Sequence, residues 1–141
     1  MKSINILINL LPSELQNILE NNDIDEVLIY FMSNDISDEK IALYLSTLAN
    51  QVNTIEYHKM VASIYHFHFN YIDHAYDLAY YHYWQSLELS NFEDYNLLVE
   101  FLKIIDEPDF DIINKQDLKS IAQKVIEKDP NNKLTIKFLD H

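Results

Sequence analysis

The 141-residue chain contains no glycine and no cysteine, and all ten of its basic residues are lysine. Glycine-rich phosphate loops, the dinucleotide fingerprint and the nucleophile elbow each require backbone without a Cβ, so none of them can be built here. Without cysteine there is no disulfide framework, thiolate metal site or cysteine nucleophile. Without arginine there are no bidentate phosphate clamps, which lysine replaces poorly because it is a point charge. Cations are few: 23 acids against 10 lysines leave a formal charge of −13. Nucleic acid is therefore a poor partner, since its binding rests on cationic neutralisation of phosphates. Long apolar runs are missing as well. The longest near the start, Ile4 to Leu11, is broken by Asn5 and Asn9 and stopped by Pro12. It is too short and too polar for a membrane span, and no small-residue cleavage site follows it, so the expected location is the cytoplasm.

What is present is helix punctuation. A capping residue followed three positions later by an acid marks a helix start. Asp23 with Glu26 predicts a helix to about Ser33, Ser37 with the acids after it one to about Asn50, and Asn53 or Thr54 one to about Asn70. Asn91 with Asp94 predicts a helix to about Ile105, and Asn114 with Asp117 one to about Lys128. A further helix follows Pro12, from Ser13 to Asn21, and a short one follows Pro130, from Asn131 to Leu139. No stretch alternates with a period of two, so the expected fold is all-α, built of antiparallel hairpins in a short solenoid or compact bundle. The length predicts one domain: N-terminal helices over 1–52, two hairpins over 53–130 and a capping helix over 131–141.

At about 100° per residue, Ile72, Tyr76, Ala79, Tyr83, Ser86 and Leu87 share one side of a helix, and Leu78, His82 and Leu89 form a second apolar flank. A helix apolar on two sides is packed between neighbours. The open sector between holds Asp73, His74, Asp77, Tyr81, Trp84, Gln85 and Glu88. The preceding segment, Ile55 to Tyr71, places Tyr57, Met60, Val61, Ile64, Phe67 and Tyr71 on a wide apolar face opposite Lys59, Ser63, His66 and Asn70.

Ala79, Tyr83, Ser86, Leu87 and Leu89, with Asn91 where proline is usual, resemble the second helix of a tetratricopeptide repeat. Ala122, Val125, Ile126 and Asp129-Pro130-Asn131 resemble the end of another such repeat. The two termini lie 39 residues apart, against a family period of about 34. The resemblance spans about 54–132 and lacks the first-helix signatures of the family. A generic stack of helical hairpins has the same periodicity. The resemblance implies a scaffold that binds peptides or proteins and performs no chemistry; it transfers no ligand-clamp residue.

Histidines 58, 66, 68, 74 and 82 crowd into 25 positions. Metal sites on helices use histidines four apart, or an acid with a histidine three residues on, and neither spacing occurs. Steps of eight residues turn successive side chains by about 80°, so His58, His66, His74 and His82 do not share a face. His68 and His82 read as hydrogen-bonded core residues; a metal, if held, would use His66, His74, Asp73 and Asp77. From Asp109 a calcium loop would need glycine at its sixth position and glutamate at its twelfth, where Asn114 and Ser120 stand, so that motif fails. No serine or threonine carries a motif linking it to a histidine, and no cofactor is expected.

The remaining signal is acidic and aromatic. Tyr81 and Trp84 share a sector with Asp73, Asp77 and Glu88, the composition of a contact surface for a basic partner; packing of Trp84 beneath a neighbouring helix is the alternative. Seven acids, including Asp106, Glu107, Asp109 and Asp111, face one lysine, Lys103, between Glu93 and Asp111, whereas six of the ten lysines lie between Lys115 and Lys137. These features point to a non-enzymatic module that binds a basic protein or peptide, in its most specific form an immunity protein that neutralises a basic toxin. The alternatives are a small tetratricopeptide-type chaperone or adaptor, and a metal-dependent helical enzyme using the histidine-rich hairpin.

Overall fold

A computed structural model describes residues 2–110 and 114–139. Among the described residues the secondary structure is helical, with no strand. The elements are α1 (Lys2–Asn9), α2 (Ser13–Glu20), α3 (Glu26–Ser33), α4 (Glu39–Val52), α5 (Ile55–Ser63), a π-turn (Ile64–His68), α6 (Ala75–Leu89), α7 (Tyr95–Ile105), α8 (Lys115–Lys128) and α9 (Lys133–Leu139). None of these helices is long and apolar enough to cross a membrane. The chain divides into two compact units, residues 1–86 and 87–141.

Capping decides where the helices begin. Thr54 accepts from the Tyr57 N–H, and Asn114 accepts from the N–H groups of Gln116 and Asp117, as their positions before apolar-periodic segments predict. Four other starts fall a little later than expected, those of α3 at Glu26, α4, α7 and α9 at Lys133. Asp38 caps α4 in place of Ser37, and Asp94 caps α7 in place of Asn91. In both, the aspartate takes the extended backbone that lets its carboxylate turn back on the first N–H groups. Asn91 instead occupies the left-handed region. α1 is an addition to the sequence expectation.

With no glycine in the chain, left-handed backbone positions fall to other residues. Asn22, Asp35, Asn53 and Asn91 take four of them, the short amides and acids that tolerate this region best. Asn53 ends α4 there, donating its N–H to the Ala49 carbonyl at 2.8 Å.

The first unit buries Leu15 and Leu19 from α2, Val27 and Phe31 from α3, and Leu45 and Leu48 from α4. Phe31 meets the rings of His68 and Phe69 edge-on, at centroid distances of 5.6 and 5.9 Å. Such pairs add about 0.5–1.5 kcal/mol each beyond their buried area. The second unit buries Leu98, Phe101, Leu102 and Ile105 from α7 against a core that takes Leu118, Ile121, Ala122 and Val125 from α8.

The π-turn corrects one sequence expectation. The Phe69 N–H reaches the Ile64 carbonyl at 2.9 Å, a five-residue step. One extra residue in a turn rotates every later side chain by about 100° relative to an uninterrupted α-helix. Met60, Val61 and Ile64, at or before the step, are buried as predicted. Within it Phe67, expected inside, is 51% exposed and His66, expected outside, is buried, while Tyr71, also expected inside, is 67% exposed because the helix ends at His68 and Tyr71 falls in the turn that follows.

Candidate functional site

Two groups of side chains in the first unit stand out, one buried and one exposed. The buried group begins at Asn53, whose left-handed backbone between α4 and α5 leaves its carboxamide oxygen 2.9 Å from His58 Nε2. His58 Nδ1 lies 2.9 Å from His82 Nδ1, and His82 Nε2 lies 2.7 Å from Ser46 Oγ. α4, α5 and α6 each contribute, and both imidazoles are fully buried.

One acceptor-only atom sets the direction of the whole chain. The Asn53 oxygen can only accept, so His58 Nε2 carries the hydrogen and donates. A neutral His58 then has a bare Nδ1, which accepts from His82 Nδ1–H. His82 Nε2 is bare in turn and accepts from the Ser46 hydroxyl. All four ring nitrogens are satisfied while both rings stay neutral. Burial lowers the pKa of His58, and burial together with the adjacent His58 pushes that of His82 down to about 3.

A serine hydroxyl on a histidine that a second group orients is the arrangement of an activated nucleophile. Ser46 is only 9% exposed and sits in the packed interior between helices. The relay therefore orders the core, as a fully satisfied buried polar network does. Sequence reasoning placed His82 correctly as a hydrogen-bonded core residue but linked it to neither Ser46 nor His58. These contacts span 36 and 24 residues, beyond the reach of any local spacing rule.

The exposed group lies on the outer side of α6 and the turn before it. Asp73 and Asp77 are exposed. His74, left-handed at φ 66, sets its Nδ1 2.8 Å from Asp77 Oδ2, and that hydrogen bond raises its pKa. Tyr81, one helical turn beyond Asp77, is 43% exposed, and its hydroxyl donates to Asn50 Oδ1 of α4 at 2.9 Å. Trp84 is half-buried, its ring parallel to that of Tyr80 with centroids 6.2 Å apart. Tyr81 thus stands out as a braced aromatic, while Trp84 divides its surface between neighbours and solvent. In the same unit an acidic cleft of about 640 Å³ opens at the starts of α3 and α5, lined in part by Asp23, Asp25, Glu26, Glu56 and Tyr57.

The other expected partner-binding residues belong to the second unit. Glu88 and Asp109 are exposed, and Glu107 is half-buried. Asp106 accepts from Lys137 Nζ at 3.1 Å, so this acid finds its cation in α9 and not in the lysine-poor stretch around it. Phe110 is buried and donates its N–H to the Glu107 carbonyl, which anchors this acidic turn. Asp111 lies outside the described residues.

Of the residues proposed for a metal, His74 and Asp77 meet at 2.8 Å, but His66 does not join them. His66 is buried, stacked on Phe67 at 3.9 Å and hydrogen-bonded through Nδ1 to the Tyr83 hydroxyl at 3.0 Å. His74 is exposed against Asp77. Among the described residues no three histidine or acidic side chains converge on a point that could hold a metal ion. No family model, curated protein or solved structure matches the chain.

Proposed function

We propose that the chain is a non-enzymatic helical module that captures a basic protein or peptide on the outer side of α6. The observation that carries this reading is Tyr81, an exposed aromatic held by Asn50 with Asp77 one turn away. A fixed aromatic loses little entropy on binding, and neighbouring carboxylates favour a cationic rim on the partner. The net charge of −13 adds a long-range attraction for cationic surfaces. Masking of a basic toxin is the most specific form of this function. A tetratricopeptide-type adaptor is the second reading; it is supported by the burial of Ala79, Tyr83, Ser86 and Leu87 on one face of α6, the positions at which the family places small and apolar residues.

The test is capture with the tagged chain at low and high salt, followed by mass spectrometry of what is retained. A basic protein is expected at low salt and is released as salt screens the charges. Asp73→Lys with Asp77→Lys is expected to weaken that capture by roughly tenfold or more, and Tyr81→Ala to shorten the lifetime of the complex. Capture unchanged by both variants would overturn the assignment of this surface.

A further inference from the structure

We propose that the Asn53–His58–His82–Ser46 relay is a proton-operated latch, holding α4, α5 and α6 in register while its imidazoles are neutral and releasing them when the pair must take up two protons. The geometry supplies the mechanism. The neutral relay has three hydrogens for three hydrogen bonds, all pointing from Ser46 toward Asn53. A first added proton can be accommodated. It makes His82 Nε2 a donor to Ser46 Oγ, and the serine hydroxyl turns to a carbonyl of the preceding helical turn. The three ring hydrogens then fill three of the four nitrogens, and one is shared between the two Nδ1 atoms. A second proton has no such place. It sets two N–H groups head to head across 2.9 Å, with both rings charged inside the core.

The surroundings do nothing to relieve this. His82 faces Ser46 from α4 and His58 from α5, with the edge of the Tyr81 ring at 4.9 Å on its own helix. Since the four ring nitrogens bond only to Ser46, to each other and to Asn53, no carboxylate is bonded to either ring. The charged side chains of the packed elements lie outward: Glu26 on α3, Glu39 and Lys40 on α4, Glu56 on α5 and Asp77 on α6 are exposed, and Lys59 is half-buried. His66 of the π-turn is committed to Tyr83, and His68 to the Ile36 carbonyl. The sign of the pH dependence follows. Both folded pKa values lie below the unfolded value of about 6.5, so the unfolded chain binds more protons and stability falls as pH drops below that value.

Two measurements on the full chain test the latch. In protein labelled with nitrogen-15, a scalar coupling transmitted through the hydrogen bond is expected between His58 Nδ1 and His82 Nδ1 at pH 7.5. Non-bonded tautomers at both rings would overturn the proposal. The second is equilibrium unfolding between pH 7.5 and 4.5, comparing the chain with Asn53→Asp. Aspartate keeps the left-handed backbone and places a carboxylate against His58 Nε2, which lets one imidazolium persist in the folded state. The unfolding constant of the unaltered chain is expected to rise more steeply than that of the variant, by up to about tenfold per pH unit, the signature of one proton. His58→Gln removes one titrating ring and provides the same comparison should Asn53→Asp not fold. Equal pH slopes in the unaltered chain and the folded variant would overturn the latch.

Discussion

The two compact units solve the same packing problem with different chemistry. The second encloses the apolar faces of α7 and α8; its described polar contacts include the caps of Asp94 and Asn114, the Lys137–Asp106 pair and a buried Thr135 bonded within its own turn to Asn132, and none of them is a buried titrating ring. The first runs a continuous polar chain through its interior and interrupts α5 with a π-turn. An aliphatic core is indifferent to pH and tolerant of small shifts, because dispersion and hydrophobic burial have no direction. A buried hydrogen-bond relay constrains geometry and protonation together, since every unsatisfied member is costly. The first unit should therefore respond to acid through its core, and the second through its surface.

The largest expected effects separate ordinary packing from this difference. Phe31→Ala in the first unit should cost about 3–5 kcal/mol, and Leu102→Ala in the second about 2–5 kcal/mol, each through a cavity left in a fully packed site. Neither change touches a titrating group of the relay. Chemical denaturation at pH 7.5 and 5.0 should therefore show both losses with the acid slope of the parent chain. A slope that flattened in Phe31→Ala would place the acid sensitivity in apolar packing, and the contrast between the units would fail.

Ser46→Ala is the intermediate case. It removes one hydroxyl oxygen and almost no volume, yet it leaves His82 Nε2 buried with no donor. An unsatisfied buried acceptor costs about 1–3 kcal/mol. The loss should be present in full at pH 7.5 and unaffected by salt, because the site is shielded from ions. Unfolding curves at low and high ionic strength check both features, and a neutral or stabilising outcome would mean that the relay ends at His82.

How much of this was legible in the sequence depends on the distance over which each feature is encoded. Asn114 was readable because a cap acts on N–H groups two and three residues away. Asp38 and Asp94 were visible as acids but not as caps, because Ser37 and Asn91 offered equal local chemistry and tertiary backbone placement chose between them. The outer side of α6 was legible from its period: Asp77 and Tyr81 are exposed, and Ala79 and Leu87 are buried, as the pattern predicts. The π-turn has no local signature: its extra residue misplaced Phe67 and His66, and the end of the helix at His68 misplaced Tyr71. Relay membership required knowing that α4, α5 and α6 meet at Ser46, His58 and His82, which no spacing within a single helix encodes.

The smallest expected effect completes the contrast from the second unit. Asp106 and Lys137 form an ion pair at 3.1 Å with both side chains substantially exposed. Water screens such a pair and two flexible side chains must be held, so Lys137→Ala should cost only about 0.2–1 kcal/mol at low salt. The Debye length falls to about 3 Å at 1 M salt, comparable to the separation itself, so the cost should disappear there. Thermal unfolding of Lys137→Ala across a salt series reads this directly. A loss that shrank with salt, beside a Ser46→Ala loss that did not, would establish that one electrostatic interaction lies at the surface and the other inside. A salt-independent Lys137 effect would instead assign the contribution to the packing of its aliphatic stem along α9.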